Sequence, residues 1–323
     1  MVNVGILGAG LIGKKRAASL APGMTLVGAF DTNLAIYEQF KRQFPTSNFD
    51  SPNQLFEKVG PGGLIVVCTP HDQLAALAKQ ALQFGCNVLI EKPGARNLEE
   101  LRELKSEADK ASCFVRVGYN HRFHPGFLEL KDIALSGKFG KIQLIRARYG
   151  HGGRPGYETE WRAQKNISGG GELIDQGSHL IDLSHFLVGS SSLEFSSLPT
   201  LYWPMEVEDN AFLALSAKNG AKSWLHASWT EWKNLFSFEV FFKTAKVEVS
   251  GLGGSYGSEK LTIHHMEEGL GIPVMTEQSY GTDDSSWLHE MEDILSQIKG
   301  DTHKGADVES AIEVFEIIES AYK

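Results

Sequence analysis

An acid and a histidine stand four residues apart in the segment GGGELIDQGSHLIDL, residues 169–183. The apolar residues around them recur at helical spacing, which predicts a helix that begins near Gly171. Residues four apart share one face of an α-helix, so Asp175 and His179 would be neighbours across a single turn. A histidine titrates near neutral pH and suits acid–base catalysis, and a nearby carboxylate orients its ring. On this segment alone, a solvated ion pair or a structural histidine fits the spacing as well.

A glycine-rich turn near the start of the chain has the composition of a phosphate-binding loop. Residues 8–13 read GAGLIG, follow an apolar run and open a helical pattern, as in a dinucleotide-binding βαβ unit. Asp31 ends the next apolar run; its carboxylate would bind the adenosine ribose and repel a 2′-phosphate, which favours NAD over NADP. The alternative is a structural turn with an ordinary loop acid. The predicted cofactor contacts in this region are Gly8, Gly10, Leu11, Ile12, Gly13 and Asp31.

The elements that must hold these residues change character near residue 120. Before it, short apolar runs alternate with amphipathic stretches, which predicts βαβ units and a parallel sheet. After it, strand-like runs dominate from 193 to 263, and Asn219-Gly220 is a hairpin signal. We therefore predict an α/β protein with a Rossmann domain over 1–119 and an α+β domain with an antiparallel sheet over 120–323. Closing helices are expected at 285–299 and 307–321.

Composition limits the partners. The chain has 323 residues, 42% of them hydrophobic, and a net charge of −9, so neither nucleic acid nor an anionic membrane is an expected partner. No apolar run approaches the ~20 residues of a membrane span. The first residues already read as strand and glycine turn, so no signal peptide is expected. Three cysteines without CxxC spacing predict free thiols and a cytoplasmic location.

Several segments together resemble the Gfo/Idh/MocA oxidoreductases, a family named for glucose-fructose oxidoreductase and inositol dehydrogenase. They are GAGLIG (8–13), CTP (68–70), EKP (91–93), VGYNHRFHP (117–125) and GGGELIDQGSHLIDL (169–183). They follow the family's order and span most of the chain. The resemblance implies a Rossmann domain and a second domain with a large, mainly antiparallel sheet. It also implies an NAD-dependent dehydrogenase that acts on a hydroxyl of a free sugar, inositol, uronate or sugar nucleotide.

The resemblance assigns chemical roles to three residues. Lys92 matches the EKP lysine, which lies beside the nicotinamide and the reacting carbon, although on position alone a structural lysine fits as well. Asp175 and His179 match a D-x-x-x-H pair whose histidine is the usual acid or base. No metal is expected, because hydride transfer needs none and no third ligand is evident. Asp182 and His185 share the helix but are predicted to project elsewhere, as structural residues.

Binding residues are implied by the same motifs. The substrate contacts are expected at Lys92, Tyr119, Asn120, Arg122, Trp161, Arg162, Asp175 and His179. Further cofactor contacts are expected at Thr69, Pro70, His71, Glu91 and Lys92. One departure concerns the motif TPN-x-x-H, which reads TPHDQL at 69–74. His71 replaces the asparagine and Leu74 the histidine, which leaves the cofactor contacts there open.

The substrate class depends on how the basic segment 146–165 is interpreted. Its glycines predict a loop, and five basic residues in it suggest a site for a carboxylate or a diphosphate. The alternative is a solvated loop with scattered charges. The basic residues are Arg146, Arg148, Arg154, Arg162 and Lys165.

Other functions stay open. A non-catalytic NAD-binding sensor of the same fold would not need Lys92, Asp175 and His179 together. A relative that reduces an imine or a biliverdin-like substrate usually lacks the D-x-x-x-H pair. An exposed sheet face and the habit of the family predict a homodimer or homotetramer.

Overall fold

The structure, a computed structural model, describes residues 1–47, 49–266, 269 and 271–323. They form two compact units: Met1–Asn120 with Trp287–Ile312, and His121–Ser286 with Glu313–Lys323. The first unit ends one residue beyond the boundary that the sequence predicted. It also takes in residues 287–312, which the sequence had placed in the second domain.

In chain order, the strands are β1 (Val2–Leu7), β2 (Met24–Phe30), β3 (Leu64–Val67), β4 (Asn87–Glu91), β5 (Val115–Gly118), β6 (Ile142–Gly150), β7 (Ser191–Ser197), β8 (Asn210–Ala217), β9 (Lys222–Ser228), β10 (Leu235–Phe242), β11 (Ala245–Ser250), β12 (Glu259–His265) and β13 (Val274–Gly281). The helices are α1 (Leu11–Ala18), α2 (Leu34–Gln43), α3 (Pro52–Val59), α4 (His71–Gln83), α5 (Leu98–Ala111), α6 (Pro125–Ser136), α7 (Lys165–Ser168), α8 (Ser178–Val188), α9 (Ser286–Ile298) and α10 (Val308–Tyr322). No helix within the described ranges is long and apolar enough to cross a membrane.

The first unit contains a parallel sheet in the order β2-β1-β3-β4-β5. Its middle strands are apolar on both faces, and all four residues of β3 are buried, as expected when helices cover both sides of a parallel sheet. The predicted Rossmann fold is therefore confirmed. Helix α3 was not predicted, because it is only eight residues long and follows a polar, proline-containing stretch.

Helix α9 joins the first unit through its apolar face. Met291, Ile294 and Leu295 are buried in the same core as Val4 and Ile6 of β1. The chain that follows α9 also pairs with β5, since the backbone N–H of Val117 donates to the carbonyl oxygen of Ala306 at 3.0 Å. These contacts are long-range in sequence, so the local periodicity of the C-terminal helices could not show which core they complete.

A buried cation ties this unit together. The Arg16 side chain is fully buried; its Nε donates to Glu91 Oε1 and its Nη1 to Glu290 Oε2, both at 2.5 Å. Its guanidinium also lies 4.5 Å from the ring centre of Trp287. Charges this deep are tolerated only when they are paired and hydrogen-bonded, so α1, β4 and α9 must meet at this point.

The second unit contains an eight-stranded sheet in the order β13-β12-β11-β10-β6-β9-β8-β7. Every neighbouring pair is antiparallel except β6 and β9, which run parallel. The predicted hairpin at Asn219-Gly220 joins β8 to β9, and Gly220 has the positive φ of 91° that this turn requires. The large, mainly antiparallel sheet is thus confirmed.

Buried and exposed side chains alternate along the central strands of this sheet. In β6, Ile145, Ala147 and Tyr149 are buried, whereas Arg146 and Arg148 between them are exposed. Helices α6 and α8 pack on the sheet, and the alternation shows that it has one buried and one exposed face. Residues 146–150 belong to β6 and pair with β10 and β9, so the loop predicted within the segment 146–165 begins only after the strand that ends at Gly150.

The buried cation yields a stability prediction. Arg16→Ala leaves Glu91 and Glu290 buried without their cation, and breaking a buried pair costs about 3–5 kcal/mol. The free energy of unfolding, measured by urea denaturation, should fall by that amount. As a control, Lys110→Ala removes a solvent-exposed pair with Glu107 and should change it by less than ~1 kcal/mol. Unchanged stability of Arg16→Ala would contradict the structural role.

Candidate active site

In the glycine turn between β1 and α1, two glycines face backbone atoms and the third faces open space. A side chain at Gly8, whose φ is +88°, would come within 2.6 Å of the Cys68 carbonyl oxygen, and one at Gly13 would overlap the carbonyl oxygen of Gly8. At Gly10, the N-cap of α1, no described atom lies within 4 Å of the missing Cβ. Open space at the N-terminus of a helix suits a pyrophosphate, so the turn fits a dinucleotide.

Asp31 is held in place at the end of β2 by two backbone amides. The N–H of Ala9 donates to its Oδ2 and the N–H of Asn33 to its Oδ1, each at 2.8 Å. The side chain therefore links the glycine turn to the strand end. Each carboxylate oxygen has a further lone pair, so the group can still accept hydrogen bonds from ribose hydroxyls.

The remaining candidates of the first unit follow the carboxyl ends of its strands, where open α/β sheets bind ligands. Thr69 and Pro70 follow β3, and the buried hydroxyl of Thr69 has no hydrogen-bond partner among the described residues, so a polar cofactor atom would satisfy it. His71 is buried in the first turn of α4. Lys92 follows β4 and is partly exposed. Glu91 differs from these residues, because its carboxylate is committed to Arg16 in the interior.

Tyr119 and Asn120 complete the first unit after β5. Both side chains are buried, Tyr119 completely. They lie at the same edge of the sheet as the residues that follow β3 and β4, because all of these strands are parallel. Their predicted contact with a substrate stays a prediction.

In the second unit, the segment that carries the dyad is not a plain α-helix. Residues Leu173–Gly177 form a π-helical turn, and α8 continues from Ser178. The expectation of α-helical i,i+4 geometry for Asp175 was wrong in this respect. Glu208 holds the start of this segment in place, because its Oε1 accepts hydrogen bonds from the N–H groups of Gly171 and Leu173, each at 3.1 Å. Single π-turns inside helices are frequent at functional sites.

His179 is buried among aromatic rings. Its imidazole stacks on that of His121, with ring centres 3.8 Å apart and planes 19° from parallel. Tyr149 approaches edge-on, with ring centres 6.1 Å apart. His121 was not among the residues that the sequence indicated; the available signal was its place between Asn120 and Arg122 in a segment already assigned to the site. The stacking restricts the orientation of the His179 ring.

Asp175 lies beside the predicted Trp-Arg pair. Arg162 Nε is 3.5 Å from Asp175 Oδ2, and the Arg162 guanidinium stacks 4.4 Å from the ring centre of Trp161. Arg162 and Asp175 are both partly exposed. The structure thus brings the Trp161-Arg162 pair next to Asp175, more than ten residues further along the chain.

Two phenols near the dyad stay protonated at neutral pH. Burial raises the pKa of Tyr149 well above its usual value, and the neighbouring Tyr256 and Asp175 add to the effect. Burial likewise raises the pKa of Tyr256 to about 12. Both hydroxyls are therefore neutral near pH 7. Among the described residues, no group of three His, Cys, Asp or Glu side chains is arranged to hold a metal ion.

Comparison with protein-family models matches both parts of the chain. Residues 2–119 match the model described as "Oxidoreductase family, NAD-binding Rossmann fold", and residues 127–251 match "GFO/IDH/MocA C-terminal domain". The chain belongs to the Gfo/Idh/MocA oxidoreductase family. The first unit is accordingly an NAD-binding Rossmann fold.

Individual relatives of this Gfo/Idh/MocA protein include sugar dehydrogenases. The D-glucoside 3-dehydrogenase of Escherichia coli (strain K12) is 25% identical to this chain, in an alignment that covers 100% of this chain and 95% of the relative. The glucose-6-phosphate 3-dehydrogenase of Bacillus subtilis (strain 168) is 31% identical over 59% of this chain and 55% of its own length. A structure of levoglucosan dehydrogenase in complex with NADH and levoglucosan has the same fold, with a TM-score of 0.84 and 20% identity, over 99% of this chain and 97% of its own.

Arg122 is the candidate whose surroundings differ most from the expectation. Its Nε and Nη2 donate to the two carboxylate oxygens of Asp182, at 2.9 and 2.6 Å, in the interior. Burial and this cation together lower the pKa of His185 to about 4, so His185 is neutral. Such a bidentate, buried pair fixes α8 to the segment before α6, and it directs the guanidinium at Asp182.

The basic segment does not converge on one anion site. Arg146 pairs with Glu239 on the exposed face of the sheet, and Arg154 pairs with Glu160, each at 2.5 Å. Arg148 shares the exposed face with Arg146, and Lys165 begins α7. Of the five basic residues, Arg162 lies next to the dyad. A carboxylate or diphosphate site built from all five is therefore not supported by their placement.

The carboxylate at the end of β2 yields a prediction of cofactor preference. We expect NAD to be preferred over NADP, in kcat/KM, by at least about tenfold, which corresponds to ~1.4 kcal/mol. Asp31→Ser should lower the ratio of kcat/KM for NAD to that for NADP, because it removes the repulsion of a 2′-phosphate. Asp31→Asn should also lower this ratio, although the asparagine retains an acceptor for the N–H of Ala9. Asp109→Ser, on the exposed surface of α5, is the control; equal use of both cofactors by the wild type would contradict the role of Asp31.

Proposed function

We propose that this protein is an NAD-dependent dehydrogenase that oxidises a hydroxyl group of a pyranose sugar or sugar derivative. The observation that carries the proposal is the buried imidazole of His179, stacked on His121, next to a turn that presents Asp175. The glycine turn and Asp31 of the first unit support the choice of cofactor. The alignment of the whole chain with a D-glucoside 3-dehydrogenase supports the class of substrate.

The proposed roles follow from the chemistry of alcohol oxidation. His179 in its neutral form takes the proton of the hydroxyl group. Asp175 orients the imidazole and stabilises its protonated form, and Arg162, 3.5 Å away, holds the Asp175 carboxylate in position. Lys92 donates a hydrogen bond to the reacting oxygen and stabilises the charge that develops on it. Bound NAD supplies the hydride acceptor.

Trp161 and Arg162 are proposed to bind the sugar. The guanidinium offers several donors to ring hydroxyls, and its stacking on the indole fixes the plane in which they point. Tyr119 and Asn120 are proposed as further substrate contacts, and Thr69, Pro70 and His71 as cofactor contacts. For Arg122 and Glu91 we propose supporting roles instead, because each is engaged in a buried ion pair.

We also propose that the protein is a homo-oligomer and is cytoplasmic. On the exposed face of the second sheet, Phe195 and Trp224 stack on each other and are 49% and 45% exposed. Exposed aromatic surface of this kind is typical of protein interfaces. Cys68, Cys86 and Cys113 are free, which is consistent with a reducing compartment.

The dyad and the lysine yield the central prediction. His179→Ala and Lys92→Ala should each lower kcat about 100-fold or more, while NADH binding, measured by fluorescence titration, persists. His264→Ala in β12 is the control and should retain activity. A His179→Ala enzyme with near wild-type turnover would remove the imidazole from the mechanism. NAD binding without oxidation of any sugar by the wild type would favour a sensor.

The orienting carboxylate can be tested separately. Asp175→Asn should cost less activity than His179→Ala, because it leaves the base in place. Without the carboxylate the imidazolium is less stable, so the pKa of His179 should fall. Since the neutral ring is the base, the acid limb of the pH–rate profile should move to lower pH. A shift to higher pH, or none, would show that Asp175 does not act on His179.

Arg162 yields a prediction about substrate binding. Arg162→Ala should raise KM for the sugar and leave NAD affinity nearly unchanged. Arg162→Lys should not restore KM, because an ammonium group cannot reproduce the stacked, planar guanidinium and its several donors. Arg154→Ala, which removes an exposed pair with Glu160, is the control. Weaker NAD binding by Arg162→Ala would instead place this residue in the cofactor site.

A further inference from the structure

A wide, open groove of about 620 Å³ in the second unit, called the cavity below, has no role in the chemistry proposed so far. Its walls come from the residues around Ala163 and from the segment 200–206. We propose that it is a second saccharide subsite, which holds the neutral, non-reacting part of a glycoside while another ring presents its hydroxyl to His179. The proposal rests on the proposed function and specifies its substrate class.

One wall offers an apolar platform. The Trp203 indole is fixed from behind: its Nε1 donates to the Trp229 carbonyl oxygen at 3.0 Å, and a side chain at Gly153 would come within 2.5 Å of its ring. Because the indole donor is already used, the ring can present only its apolar surface to the cavity. Pro204 and Met205 extend that surface. An apolar ring surface complements the C–H face of a pyranose.

The lining of the cavity also contains hydrogen-bond acceptors. Glu158 and Glu206 contribute carboxylates to the lining, and Gln164 contributes an amide. The Oε2 atom of Glu158 is buried and has no hydrogen-bond partner among the described residues. Burying an acceptor without a partner is unfavourable, and a sugar hydroxyl would supply the missing donor. Carboxylates accept hydrogen bonds but donate none when ionised, so they select ligands rich in O–H groups.

The charge of the lining is unfavourable for anionic ligands. Two carboxylates and no lysine or arginine occur among the described residues that line the cavity. Lys165 lines an adjoining cavity, together with the carboxylate-bearing Glu206 and Glu208. A phosphate or diphosphate in the larger cavity would therefore meet like charge without compensation. The subsite should accept a neutral sugar and reject a phosphorylated one.

The position of the cavity connects it to the dyad. Ala163 and Gln164 of the lining directly follow Trp161 and Arg162 in the same short turn. Arg162 in turn lies 3.5 Å from Asp175. One turn of the chain thus borders both the candidate acid–base pair and the cavity. A ligand of two linked rings is the kind of molecule that contacts both.

The test compares substrates of different size and charge with the holoenzyme. We would measure kcat/KM with NAD for methyl glucoside, for glucose 6-phosphate and for the neutral disaccharides maltose, cellobiose and trehalose. At least one disaccharide should exceed methyl glucoside about tenfold or more, and glucose 6-phosphate should gain no such advantage. No disaccharide above methyl glucoside, or a larger gain with the phosphate, would overturn the proposal.

Variants locate the effect in the cavity. Trp203→Ala and the milder, isosteric Glu158→Gln should each bring the ratio of disaccharide to methyl glucoside close to one. Trp232→Ala, which removes an indole that is 98% exposed and outside the lining, should preserve the ratio. An unchanged ratio in both cavity variants would place the selectivity elsewhere and refute the subsite.

Failure of the proposed function is distinguishable from failure of the subsite. If the wild type oxidises no sugar, the dehydrogenase proposal fails, and calorimetric titration of the NAD-loaded protein with the same disaccharides tests the cavity alone. Binding that Glu158→Gln weakens would then support the subsite. Absence of binding, or binding that neither cavity variant changes, would overturn it.

Discussion

The geometry of the candidate dyad depends on one buried carboxylate. Glu208 Oε1 accepts from two backbone N–H groups at the start of the dyad segment and from the hydroxyl of Tyr322 at 2.7 Å. Burial raises the pKa of this carboxyl group, and the hydrogen bonds that it accepts oppose that shift. Orphan amides at the start of a helix need such acceptors. Because Glu208 lies just before β8 and Tyr322 in the last turn of α10, the dyad is held by parts of the chain far from it in sequence.

Buried charge is handled in the same way elsewhere in the molecule. Arg16 has two carboxylates, and Arg122 has the two oxygens of Asp182. Each arrangement joins elements that are distant in the chain, and each becomes unfavourable if one partner is removed. These ion pairs therefore specify which elements meet, in addition to any stability that they contribute. They also explain why two polar residues of the family motifs, Glu91 and Arg122, are engaged in buried ion pairs.

The imidazole of His179 is buried among aromatic side chains. An imidazole stacked on a second imidazole is restricted in its rotation, and two phenols nearby remain neutral because burial raises their pKa values. Asp175 and Arg162, which face each other, supply opposite charges at the turn that precedes the histidine. The contact between His121 and His179 depends on the packing of their rings and not on sequence spacing.

The sequence by itself determined the local features of this protein. The glycine turn, the hairpin at Asn219-Gly220 and most helices and strands were predictable, because backbone conformation and hydrophobic periodicity depend on neighbouring residues. The order of the motifs also identified the family, and the resemblance indicated Asp175 and His179 as a candidate pair. Only the tertiary structure decided the rest. It placed residues 287–312 with the first unit and paired Arg122 with Asp182. It also paired Arg146 with Glu239, away from Arg162, and formed a π-helical turn at Asp175. Each of these outcomes arises from contacts between residues that are not neighbours in sequence, and local sequence patterns do not identify such partners.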